Sequence, residues 1–215
     1  ISNQTTESDI SMDKALALFV DMDLSYRQYN MMRTTVNTAH KDCFPSYYAL
    51  QMAKKKYIPE SIIVSETSVQ VPLQGLLNLT VRSYLNIYNF ESKNLIFEVK
   101  WGFDGSSGHS VYKQKFSDPN AHDEFLFIAS FVPIRIVDKS TDKVLWNNFK
   151  HSSPNYCRPF RFYLQKENTN LIKSTESSIK SEIDNLEPFT FVSGNMTYVV
   201  QFRLHLTMID GAVVN

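Results

Sequence analysis

The sequence predicts an α/β (α+β) protein in which a helical lobe precedes a mixed sheet of order β-β-β-α-β. Three observations predict it. Apolar residues recur with a helical period up to about Asn94 and with a period of two beyond it. A single amphipathic stretch, from about 170 to 186, interrupts the later strands. Finally, 43% hydrophobic and 13% aromatic residues in a chain of 215 give enough apolar area to bury a sizeable core. The change of period sets the expected domains, a helical lobe over 1–94 and a sheet core over 95–215.

In the first half, Ala15, Leu18, Phe19 and Met22 lie at i, i+3, i+4 and i+7 behind Ser11 and Asp13, which suit a helix start. Tyr29, Met32 and Val36 repeat the spacing in a second helix ending near Thr38. Phe44-Pro45-Ser46 opens a third, Tyr47 to Tyr57, whose Lys54-Lys55-Lys56 lies where cations complement the helix dipole. An extended stretch from Val64 to Val71 and a helix from Leu73 to Tyr88 follow. In the second half, Phe97, Val99, Trp101 and Phe103 alternate with Glu98, Lys100, Gly102 and Asp104, a half-buried strand that runs into Asp104-Gly105-Ser106-Ser107-Gly108 and a turn. Phe125 to Val137 is the next strand, with Pro133 expected at a bulge or an unpaired position. Arg158 to Gln165 is a third. The helix from about Asn170 to Leu186 carries Ile172, Thr175, Ile179, Ile183 and Leu186 on one stripe and is stopped by Pro188. The last strand, Tyr198 to Ile209, leads into Asp210-Gly211.

Charge and motifs exclude several functions. With 22 Lys+Arg against 22 Asp+Glu, the chain has no bulk positive charge with which to grip nucleic acid by counterion release. Cys43 and Cys157 form no CxxC pair, which argues against a zinc knuckle or a disulfide scaffold and suits a reducing compartment. No stretch approaches the ~20 apolar residues of a membrane span. Phosphate-binding glycine loops, HExxH and GxSxG are absent, and the five histidines lack ligand-like spacing. Two aspartates remain, Asp104 and Asp210, each at the end of a strongly apolar strand and each followed by glycine. Asp-Gly after a strand is also a hairpin signal. The chemical reading needs the two strands to be adjacent and parallel, so that both carboxylates reach one pair of hard cations about 4 Å apart, as two-metal phosphoryl transfer requires. Parity opposes it: Asp104 falls on the polar phase of its strand and Asp210 on the apolar phase of its own.

A family resemblance bears on the same residues. Tyr29-Asn30-Met31-Met32-Arg33-Thr34-Thr35-Val36 and Cys43-Phe44-Pro45-Ser46-Tyr47-Tyr48-Ala49-Leu50-Gln51-Met52-Ala53-Lys54-Lys55 resemble the segment before the catalytic core of the V(D)J recombinase catalytic subunit and Transib-type transposases. Phe103 to Gly108 resembles that family's first Asp-Gly motif, Asn155-Tyr156-Cys157-Arg158-Pro159 a later Cys-x-Pro stretch, and Leu206-Thr207-Met208-Ile209-Asp210 the strand with its second aspartate. The resemblance implies an RNase H-like core, with Asp104 and Asp210 as catalytic and metal-binding carboxylates of a DDE triad holding two Mg²⁺ or Mn²⁺. It implies DNA nicking and strand transfer, a nuclear location, a homodimer and an accessory recombinase subunit. Lys113, Lys115, Arg158 and Arg161 are the candidate phosphate contacts; each also reads as a solvated strand-edge charge. The third acid of the family is a glutamate far beyond the second aspartate. Glu176, Glu182 and Glu187 do not match it, so the chain is expected to be the N-terminal part of such an enzyme and inactive as it stands. The alternative is a non-catalytic binding module, derived from a transposase, that kept the fold and lost the chemistry.

Overall fold

The computed structural model describes residues 10–40, 43–88, 90–108, 115–117, 123–193 and 195–209. Packing divides the chain into two compact units, one up to Ile58 and one from Pro59.

The first unit holds three short helices, each opened by a serine. In α1 (Met12–Asp21) Ser11 accepts from the Lys14 amide, and in α3 (Tyr47–Lys55) Ser46 accepts from that of Ala49. In α2 (Tyr26–Ala39) Ser25 and Gln28 form a reciprocal capping box. Their apolar faces meet on Ala15, Leu16, Tyr29, Phe44, Leu50 and Ala53. The α1 stripe is rotated from the predicted one: Leu16 is inside, whereas Leu18 and Met22 are exposed. Tyr29 fills the centre and its hydroxyl donates to the Pro45 carbonyl at 2.9 Å, so the largest ring of this small core leaves no polar group unsatisfied. Lys54 and Lys55 lie in the last turn of α3, where the helix dipole favours them.

The second unit is an eight-stranded mixed sheet with two helices. Its strands are β1 (Ile63–Val64), β2 (Ser68–Gln70), β3 (Asn94–Ser107), β4 (Phe125–Asp138), β5 (Val144–Asn147), β6 (Arg158–Tyr163), β7 (Phe189–Ser193) and β8 (Met196–Ile209). The order across the sheet is β1-β2-β6-β4-β3-β8-β7, with β5 paired to β4 off this path. The strands β3, β4 and β6 form the predicted meander. The helix α5 (Thr169–Asp184) then carries the chain across to β8, which pairs with β3 in parallel; the other ladders are antiparallel. This is the α+β arrangement expected from the β-β-β-α-β order, with β5 and β7 as short additions. Pro133 pairs with Val99 directly beside a register shift between β3 and β4, the bulge at which a proline is tolerated within a sheet.

The helix α4 (Leu73–Ile87) belongs to this unit. Leu73, Leu77, Val81 and Leu85 are buried, at helical spacing, in one core with Phe97, Val99, Trp101, Phe127, Phe131 and Phe160 of the sheet and Ile172 and Ile179 of α5. The packing boundary at Ile58 therefore precedes the 94/95 boundary drawn on periodicity, because a helix packed on a sheet keeps its helical period. Among the described residues no helix is long and apolar enough to cross a membrane.

Candidate functional site

The parallel pairing of β3 and β8 decides which side chains share the C-terminal end of the sheet. Leu95, Phe97, Val99 and Trp101 pair with Val200, Phe202, Leu204 and Leu206. A one-residue bulge in β8 follows, after which Gly102 pairs with Met208 and Phe103 with Ile209. The bulge reverses the parity relation between the two strands, because an inserted residue shifts every later position to the other face. Phase read separately on β3 and on β8 is therefore no guide to which of their positions share a face beyond Trp101. Asp104 follows directly on the last described pair; Asp210 and Lys113 lie outside the described residues.

Asp104 is exposed and pairs with Ile128 of β4. The Asp-Gly step is no turn: β3 continues through Gly105 and Ser106 to Ser107, and positive φ comes only at Gly108. Gly105 is required for a different reason. A β-carbon there would collide with the Oε2 of Glu167 and lie 2.9 Å from its Cβ, so the Glu167 side chain occupies the place a larger residue would fill. Gly105→Ala is expected to lower stability by about 1–2 kcal/mol in urea denaturation. Adding Glu167→Ala should recover much of that loss; independent, additive losses would count against the clash.

The basic candidates part company. Lys115 is exposed. Arg158 is half-buried and braces its own turn, donating from Nη1 to the carbonyls of Asn155 and Cys157 at 2.9 and 3.1 Å. Arg161 is 4% exposed. Its guanidinium pairs with Glu182 and donates to the carbonyls of Val71 and Phe160, while Glu182 also accepts from the Leu73 amide at the start of α4. Arg161 is thus a clamp joining β6, α4 and α5, committed to the interior rather than offered to a phosphate.

No family model matches the chain, and no curated protein matches it.

The most developed charged group is one the sequence did not single out. Glu98, 3% exposed in the middle of β3, accepts from Arg135 Nε at 2.7 Å and from Arg203 Nη1 at 2.6 Å, with His205 Nε2 at 3.9 Å. Arg135 and Arg203 are its direct cross-strand neighbours on β4 and β8, so register alone sets an Arg-Glu-Arg row across the sheet. Burial pushes the Glu98 carboxyl upward, but the hydrogen bonds and charges of Arg135 and Arg203 outweigh it and hold the group below the ordinary glutamate range. The available signal was a charge at the polar phase of each of three long apolar strands; pairing it needed the register. Among the described residues no three His, Cys, Asp or Glu side chains converge as a metal site.

Proposed function

We propose that this chain is the N-terminal part of a DDE-type DNA recombinase or transposase, with Asp104 and Asp210 as two carboxylates of a two-metal site. One observation carries the reading: β3 and β8 are adjacent and parallel, with a register that runs to Phe103 and Ile209, the residues that precede Asp104 and Asp210 in the sequence. The donor chemistry fits. Asp104 is exposed, and no hydrogen-bond or ion-pair partner engages it among the described residues, which leaves its oxygens to a hard cation. Bound there, Mg²⁺ or Mn²⁺ would supply Lewis-acid activation of water and then of a DNA 3′-hydroxyl.

The protein's own part is rigidity and charge. Asp104 is held on a strand paired along most of its length with β4, so its position is fixed before any ion arrives. Among the three described phosphate candidates Lys115 is the exposed cation, and Arg158 presents what its turn leaves open. The decisive experiment is Mn²⁺ titration of this chain followed by electron paramagnetic resonance. Asp104→Asn and Asp210→Asn should each weaken binding roughly tenfold or more while leaving the fold intact. Equal binding by wild type and both variants would reject the site and leave the non-catalytic binding module.

A further inference from the structure

A second site lies away from Asp104, where the β4–β5 hairpin meets the end of α4. A cavity of about 640 Å³ is lined there by Tyr88, Trp146, Phe149 and Tyr156, with Val144 and Lys150 among the other lining residues. Its size falls in the range of small-ligand pockets. The aromatic rings are not loose. Trp146 packs against Tyr84 with centroids 4.4 Å apart, and Tyr84 in turn touches the core ring of Phe97 and stacks on Tyr88. Phe149 is 88% exposed, yet its turn is fastened on both sides. Asn148, 4% exposed, donates from Nδ2 to the Pro133 carbonyl at 2.9 Å and accepts at Oδ1 from the Lys150 amide at 2.9 Å, and its own amide bonds to the Ile134 carbonyl. An anchored turn that holds a phenyl ring out in water presents a preformed contact surface.

The lining chemistry selects the occupant. Its rings are flat and aromatic, and among the described residues Lys150 is its one charged lining residue and no carboxylate lines it. A cation, Lys150, beside exposed aromatic faces complements a ligand that is planar in one part and anionic in another. A cationic ligand would meet Lys150, and an aliphatic peptide would leave the ring faces poorly matched.

We propose that this cleft binds an unpaired nucleotide of a single-stranded nucleic acid, its base stacked on Phe149 and Trp146 and its phosphate near Lys150. The site is independent of Asp104, so loss of Mn²⁺ binding by the metal variants leaves it standing. The test is fluorescence anisotropy of a labelled oligothymidylate at low salt. Phe149→Ala removes a ring that is almost wholly in solvent, so the fold should persist, and binding should weaken about tenfold. Lys150→Ala should weaken binding and flatten its salt dependence. Trp146 fluorescence should be quenched on binding, against a constant background from Trp101, which is 2% exposed in the core. An abasic strand or a duplex that binds as tightly as oligothymidylate would overturn the proposal. So would unchanged binding by Phe149→Ala, or quenching by thymidine monophosphate with no preference for the strand.

Discussion

Arg161→Ala is expected to destabilise the sheet unit by about 2–4 kcal/mol, the cost of removing a buried guanidinium and leaving the Val71 carbonyl and a partly exposed Glu182 without it. The guanidinium serves Glu182, the Val71 carbonyl and the Phe160 carbonyl together, and Glu182 caps the first amide of α4. Its loss therefore reaches three elements. Arg161→Lys should recover only part of the stability, since one ammonium cannot reproduce a planar fork that serves several acceptors at once. Arg161→Met, of similar length but uncharged, should behave like the alanine variant while Glu182 keeps its charge. Combined with Glu182→Leu it should be closer to neutral, because no buried charge is then left alone. Urea denaturation measures all four. A loss below about 1 kcal/mol in Arg161→Ala would return Arg161 to the set of surface cations.

The second large effect is expected at Glu98. Glu98→Gln removes the charge that separates Arg135 and Arg203, leaving two guanidinium groups on either side of a neutral, buried amide. Both arginines are about half exposed, at 44% and 52%, so water screens part of their repulsion. The expected loss is about 1–3 kcal/mol. Its pH dependence has a definite sign. The carboxyl is held below its unfolded value of about 4.3, so its contribution is fully present above that pH and is lost as pH falls through the lower, folded value. Wild type should lose stability more steeply than Glu98→Gln on acidification below about pH 4, and the two should converge in acid. Parallel curves throughout that range would show that Glu98 is not held as the structure implies.

Much of the architecture was legible because periodicity is a local property. The α5 stripe of Ile172, Thr175 and Ile179 is buried as its spacing predicted, and the apolar phase of β3 faces the core from Leu95 to Phe103. What stayed hidden depends on pairs distant in sequence. Arg161 looked like an edge charge because Glu182 is its partner only once α5 lies beside β6. The Asp104-Gly105 step read as a turn because nothing nearby announces Glu167, which excludes a β-carbon at Gly105. The bulge in β8 after Leu206 leaves no mark in the pattern of Leu204, Leu206 and Met208, since apolar residues go on alternating straight through it. The short strands β5 and β7 were missed for a related reason: four or five residues are too few for a period to show.

The central ladder joins residues near 100 to residues near 205, and that separation has a consequence for synthesis on the ribosome. At about 5–20 residues per second, several seconds or more pass between completion of β3 and emergence of β8. The β3–β4 hairpin can close within microseconds to milliseconds, so for nearly all of that interval one flank of β3 stands without its hydrogen-bonding neighbour. The nascent polypeptide thus carries an open, strongly apolar border until β8 arrives, which makes this stage of translation the one at which chaperone capture competes most directly with folding.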